Sequence, residues 1–480
     1  MTFSDISNSE GTEQRSVLKR GIWGTSLYEA GVDSLVHSSC DVKLLLAQRF
    51  IRLVAFGQTT SILALFFREL EISDYKIGIF MTLTLFGDVL LSYFLTLYAD
   101  DMGRRTVIYW GVSLMIISGL VFAFSNNYWY LLIAAIIGVI SPSGDETGPF
   151  KSIEESTLAH LTPHNQISDI FAWHGLFGTL GVALGSVSSG FIIHYLQETL
   201  LWSKLDAYRF IFLSYSSMAV IKLVLTFFLS DACEVGVMAH HQGDANERSA
   251  LLQYHSQNNE TDNTSSAEEE KPNWLNLLWG KPLSKESHAI IYKLCFIFSS
   301  DSLGYGVMNN SWLVVYFIEK FKIHEETMGT VIFTTNIISS FSSLASSAIY
   351  KRTGPIKAIV FTHFPSALFM SLIPACQTIP WAMVLLLLRS CTQSMDVVPR
   401  SAFLSSIVHP EERTKVMGIV NIVKTLARSI GPILTGILSE KGVMWIGFLI
   451  TGICEAGHDF GLLVAFLWVD KFIAQQVANL

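Results

Sequence analysis

Long apolar runs and short polar breaks alternate twelve times along the chain, over residues 44–68, 76–98, 106–125, 128–148, 166–195, 208–230, 289–318, 327–350, 356–375, 379–401, 415–438 and 444–469. A hydrocarbon core about 30 Å thick takes about 20 residues of helix, and a single segment crossing it satisfies its own backbone only as a helix. The pattern predicts an all-α membrane protein with twelve transmembrane helices. One break, 231–288, is far longer than the others and divides the spans six plus six. The expected order is a cytosolic tail over 1–43, a six-helix bundle over 44–230, an acidic disordered cytosolic linker over 231–288, a second bundle over 289–470 and a short tail over 471–480.

The two halves repeat. Gly78 and Gly103 are 25 residues apart, as are Gly329 and Gly354, at an offset of 251 between halves. Each pair brackets a turn, a span and a basic loop, DDMGRR in one half and YKRTGP in the other. Pro149 and Pro399, 250 apart, each end a span, and Gly185 with Gly190 recurs as Gly431 with Gly436. Parallel repeats of this kind build two bundles facing each other across a cleft, which is a transporter plan.

Composition agrees, with 50% hydrophobic and 15% charged residues. The net charge of −8 is mostly local, because 231–288 holds ten acids against four bases. Arg104, Arg105, Lys351, Arg352, Lys357, Arg413 and Lys415 fall in or at the edge of breaks on the side of the N-terminus, whereas 126–127 and 376–378 carry no base. A basic excess marks the cytosolic face, so both termini are expected there. The first 43 residues lack the basic start and short apolar core of a signal peptide. Six scattered cysteines without a CxxC pair read as packing residues. No P-loop, nucleophile elbow, zinc constellation or basic nucleic-acid patch is present, so an enzyme, a cofactor and a nucleic-acid partner are not expected.

Ionisable side chains inside a bilayer cost several kcal/mol and are functional candidates. On span ten, Arg389, Gln393, Asp396 and Arg400 follow helical spacing as one polar stripe. Span eleven carries Asn421, Lys424 and Arg428, and span seven Asp301, Tyr305, Asn309 and Trp312. Asp301, Asn309, Arg389, Gln393, Lys424 and Arg428, with Gln58 from span one, are the expected substrate contacts. Near mid-depth three bases outnumber Asp88 and Asp301, which points to a solute with an anionic group. Burial lifts a carboxyl pKa, so Asp88 and Asp301, with His174, are the candidate proton carriers. Arg52 and Glu154, on neighbouring helices in the cytosolic third, are expected to gate. Glycines 175, 178, 181 and 185 smooth one face of span five for close helix packing.

The stretch LYADDMGRRT, through Ala99, Asp100, Gly103, Arg104 and Arg105, resembles the major facilitator superfamily signature between spans two and three. Thr96 stands where that signature has its first glycine, and Asp101 where it has a base. ARSIGPILTGIL, with Gly431, Pro432 and Gly436, resembles the superfamily's glycine-proline motif. The longer segments SPSGDETGPFKSIEESTLAHL and RSCTQSMDVVPRSAFLSSIVHPEERTKVMGIVNIVKTLARSIGP are similar to a branch found in bacteria and fungi. The resemblance implies a two-bundle transporter in which Asp100, Arg104 and Arg105 form a conformational latch. The arginine that many drug/proton antiporters carry in span four has only Ala134 and Ala135 in its place.

The expectation is a secondary active transporter moving a small organic solute by alternating access with proton coupling; a non-transporting sensor on the same fold is the alternative. In the linker, ERSALL sets Glu247 before Leu251 and Leu252 as an acidic dileucine signal for a sorting adaptor. That favours a vacuolar or other endomembrane over the plasma membrane. Asn259 and Asn263, on the same cytosolic loop, are expected to stay unglycosylated. Trp274, Leu275, Leu278 and Trp279 share a face suited to an interfacial helix.

Overall fold

A computed structural model describes residues 32–138, 140, 149–163, 166–234, 285–407 and 413–478. The first bundle comprises α1 (Val32–His37), α2 (Cys40–Glu69), α3 (Asp74–Met102), α4 (Arg104–Phe124), α5 (Tyr128–Gly138), α6 (Pro149–Leu161), α7 (Ile167–His194) and α8 (Lys204–Phe227). The second comprises α9 (Lys285–Val307), α10 (Asn310–Phe321), α11 (Glu325–Thr353), α12 (Pro355–Leu372), α13 (Ile379–Gln393), α14 (Val397–Ile407), α15 (Arg413–Glu440) and α16 (Trp445–Ala478).

The repeat governs the packing. In the first bundle α2 packs on α7 and α8, and α4 on α8; in the second α9 packs on α15 and α16, and α12 on α16. The bundles meet where α3 crosses α15 and α7 crosses α11, two seams related by the same repeat. Gly103 and Gly354 occupy matching corners with φ of 87° and 83°, a backbone region in which a side chain is strained. A Cβ on Gly78 would lie 2.7 Å from the Pro432 carbonyl oxygen, and one on Gly329 2.5 Å from that of Ser186. The helices therefore touch backbone to backbone at both seams.

Four spans depart from single uniform helices. Span four is α5 followed by α6, whose Phe150, Ile153, Glu154 and Leu158 are buried. The stretch after Pro149, expected as a cytosolic segment, is thus a helix docked into the bundle. Span seven breaks between α9 and α10, where the Asn309 side chain caps α10 by accepting the Trp312 N–H at 3.1 Å. Asp301, Tyr305, Asn309 and Trp312 consequently do not form one continuous stripe. Span ten passes through a 3-10 turn at Ser394–Asp396, and Pro399 lies in the first turn of α14 instead of ending the span. Span five closes with a π turn at Tyr195–Thr199.

The linker also loses its edges to the bundles. Asp231–Cys233 forms a 3-10 turn with Cys233 fully buried, and α9 begins at Lys285. Glu234 explains the docking. It accepts the backbone N–H groups of Arg104 at 2.7 Å and Arg105 at 3.1 Å, placing a carboxylate on the positive N-terminus of α4.

Two cores hold the fold. The larger runs from the Phe66, Phe67, Phe80, Phe122 and Phe212 cluster across the seams to Trp312, Phe317 and Met328. The smaller, with Leu294, Phe298, Ile359, Phe403 and Phe466, belongs to the second bundle alone. Large apolar side chains such as Trp110, Phe124, Phe296 and Phe361 point outward, as expected of a helix bundle solvated by lipid.

Candidate functional site

Three groups of polar side chains carry the chemistry. The first closes the bundles against each other at the end of the molecule marked by Arg68. Arg68 forks onto Asp74 at 2.8 and 2.6 Å, bonds Ser439 at 3.1 Å and pairs with Glu319. Ser439 also donates to Asp74 at 2.6 Å, and the Tyr75 N–H to Glu440 at 2.9 Å. At the other seam Tyr208 donates to Glu325 at 2.9 Å and His194 lies 3.5 Å from Glu326. Deeper in, Ser311 donates to the Thr60 carbonyl at 2.8 Å and Asn309 contacts the Met81 sulfur at 3.9 Å. All these cross-bundle contacts run from the Arg68 end toward mid-depth. At the Arg104 end the described residues make their contacts within the first bundle.

The second group is buried in the first bundle around Glu154. Arg52 donates to its Oε2 at 2.7 Å, Lys222 to its Oε1 at 3.1 Å, and Arg49 lies 3.6 Å away. His174 Nε2 is 3.7 Å from the same carboxylate, and its backbone carbonyl accepts from Arg49 at 2.9 Å. Arg52 and Lys222 also stack over Phe150, at 5.0 and 4.2 Å from the ring centre. The Arg52–Glu154 pair therefore ties α2 to α6 and, through Lys222, to α8. Gln58, buried on α2, donates to Ser188 at 3.0 Å and accepts from Ser214 at 3.1 Å. Asp88 is fully buried on α3.

The third group lies inside the second bundle. Arg400 donates to Asp301 at 3.2 Å and bonds Asp396 one turn away. His363 on α12 faces Asp301 with Nε2 at 3.8 Å, and its Nδ1 lies 3.1 Å from both oxygens of Asp459 on α16. His458 Nδ1 lies 3.1 Å from the same Asp459. Arg389 donates to Glu455 at 2.6 Å and bonds Gln393. Lys424 sits 5.5 Å from the Phe298 ring centre and Arg428 4.4 Å from that of Tyr305.

Sequence reasoning missed Lys222, His363, Glu455, His458 and Asp459. The signal was present, since each is an ionisable residue within an apolar span, and CEAGHD in span twelve carries three of them. Their inclusion changes the charge count: Asp301, Asp396, Glu455 and Asp459 now stand against Arg389, Arg400, Lys424 and Arg428 in the second bundle. Bases no longer outnumber acids across the second bundle, and the case for an anionic solute narrows to Lys424 and Arg428. At the Arg104 end, Arg104 donates to the Ser156 carbonyl at 3.2 Å and Arg105 pairs with Asp231. The Asp100 side chain lies outside the described residues. So do Glu247, Leu251, Leu252 and Trp274–Trp279.

With two repeated bundles and this geometry in place, the comparisons decide the family. The profile described as Major Facilitator Superfamily matches residues 45–432 and 294–476. The chain belongs to the major facilitator superfamily. It is 42% identical over 443 residues to an uncharacterised membrane protein of Saccharomyces cerevisiae, covering 92% of this chain and 97% of that one. Among solved structures, a D-xylose–proton symporter superposes with a TM-score of 0.64 at 15% identity, covering 89% of this chain and 98% of the other. The nucleoside transporter NupG gives 0.63 at 13% identity, covering 89% and 99%. These likenesses carry the twelve-helix, two-bundle fold. The superfamily member is an integral multi-pass membrane transporter of a small-molecule substrate, and not an enzyme.

Proposed function

We propose that this transporter moves a small organic solute by alternating access, driven by protons. The observation that carries the reading is the seam itself: two repeated bundles seated backbone to backbone at the Arg68 end, with charged groups buried below it. Backbone contact at glycines lets packed helices tilt without opening a leak. By the basic-residue count the Arg104 end is cytosolic. Arg68, Asp74, Glu319 and Ser439 then form the gate on the side opposite the cytosol, closed in the form described. Asp100, Arg104 and Arg105 would close the cytosolic side in the other state, with Arg52–Glu154 bracing the bundle behind them.

In this reading Asp301, Arg389, Gln393, Lys424 and Arg428 contact the solute from one bundle and Gln58 from the other, with Asn309 at the seam. Lys424 and Arg428, half-buried and stacked on Phe298 and Tyr305, favour a solute with an anionic group beside a planar or apolar part. Asp88, Asp301 and His174 are the groups through which protons couple. The dileucine signal at Glu247, Leu251 and Leu252 favours a vacuole-like membrane.

Flux into proteoliposomes under an imposed pH gradient tests the whole reading. Solute entry that discharges the gradient is expected; saturable binding with no flux in any gradient makes the protein a sensor instead. Lys424→Gln should weaken uptake of anionic solutes at least tenfold while sparing neutral ones. Equal loss for both removes the anionic-group assignment.

A further inference from the structure

Inside the second bundle three bare acceptor atoms converge on one point. Asp459, fully buried on α16, lies 3.1 Å from Nδ1 of both His363 and His458. Each Nδ1 must carry its proton to bond a carboxylate, so in the neutral rings both Nε2 atoms are left as lone pairs. His363 Nε2 then faces Asp301 Oδ1 at 3.8 Å, too far for a hydrogen bond and a poor neighbour for a second lone pair. Among the described residues His458 Nε2 has no hydrogen-bond partner, although the side chain is 0% exposed. Asp301, His363 and His458 each place a ligand-capable atom within 4.8 Å of the other two.

We propose that Asp301, His363 and His458 bind a divalent transition-metal ion, with Zn²⁺ as the best-fitting probe. Two imidazoles and one carboxylate suit a borderline cation and leave a fourth position open for water or cargo, whereas calcium and magnesium prefer sites made of oxygen. The one carboxylate that fixes both histidine tautomers is the outer-shell partner metal-bound histidines usually have. Arg400 occupies Asp301 Oδ2 and leaves Oδ1 for the ion. Three carboxylates, Asp301, Asp396 and Asp459, offset the nearby Arg400 and Lys424, which stack on the same Phe298 ring. Capture would draw the ligand atoms together to about 3.3 Å, the edge of a tetrahedron with metal–nitrogen bonds of about 2.0 Å. The ligands come from α9, α12 and α16, so occupancy pins three helices of one bundle.

The test is an equilibrium one, independent of flux. Full-length protein, stripped with chelator in detergent, is dialysed against buffered Zn²⁺ and bound metal is counted. His240→Ala/His241→Ala serves as background, because that pair in the linker is a rival ligand. One ion per chain is expected, with X-ray absorption showing nitrogen and oxygen ligands including two imidazoles. His458→Gln, which keeps size and polarity, should lower affinity at least a hundredfold, and Asp301→Asn at least tenfold, with the elution profile unchanged. Absence of stoichiometric Zn²⁺, sulfur in the first shell, or full affinity in folded His458→Gln each overturns the site.

Discussion

Both bundles bury an ionic cluster at corresponding places, yet they are built on different plans. In the first, one carboxylate, Glu154, serves Arg52, Lys222 and Arg49, with Phe150 beneath the cations. In the second, four carboxylates are shared among arginines and histidines on five helices, and Arg400 stands at the position that the 250-residue offset matches to Phe150. Among the described residues the first cluster converges on a single carboxylate, which leaves it fewer ways to rearrange. A cluster with many partners can exchange them. The first bundle therefore reads as the frame and the second as the half whose polar interior can change with a ligand or proton.

The largest effect should come from removing the hub. Glu154→Gln removes the carboxylate that Arg52, Lys222 and Arg49 share, a loss of about 3–5 kcal/mol for a broken buried pair. Glu455→Gln removes only the partner of Arg389, which keeps Gln393, so its loss should be about half as large. Thermal unfolding in detergent measures both. Equal shifts would mean that the two interiors are alike and that the frame-and-switch contrast fails.

How much of this was legible in the sequence follows from where each property is encoded. The helical spans, the repeat and the spacing of Gly103 and Gly354 are properties of local pattern, and the fold keeps them even where a span breaks. The asymmetry is a property of contacts between distant spans. His363, His458 and Asp301 are brought together from spans nine, twelve and seven, and no spacing rule links them. The breaks in spans seven and ten were missed for a different reason: the apolar run continues across them, while Asn309 caps a new helix within it. Glu455 and Asp459 were readable as buried charges, and overlooking them left the charge count one-sided.

The two seams give a second comparison, with smaller effects because both are built alike. Gly78→Ala and Gly329→Ala each put a methyl group against a backbone carbonyl, overpacking that costs about 1–3 kcal/mol. Disulfide yield between Tyr75→Cys and Glu440→Cys, in a cysteine-free background, reads closure at the Arg68 end. Both alanine variants should lower it several-fold. If only Gly78→Ala does so, the seams are not equivalent. Arg68→Lys keeps the charge but loses the two-pronged contact with Asp74, and should lower the same yield by a factor of a few, about 1 kcal/mol.

The smallest effect lies at the Arg104 end, where Glu234 caps α4. Glu234→Gln keeps a hydrogen-bond acceptor but removes the charge facing the helix N-terminus, a change of about 0.3–1 kcal/mol, so global stability should barely move. The local consequence is easier to read. Cys233 is fully buried beside that cap, and burial pushes its thiol up to about 12. Since only the thiolate attacks a maleimide, Cys233 should stay unlabelled at pH 8 while the exposed Cys40 reacts within minutes. A raised folded-state value also means the buried thiol's contribution to stability is intact below the ordinary thiol range and given up as pH climbs above it. Glu234→Gln should loosen the 3-10 turn and bring slow labelling of Cys233 in a Cys40→Ser background. Labelling that is fast in the unaltered protein would show that this turn is not docked, and with it that the linker begins at residue 231 after all.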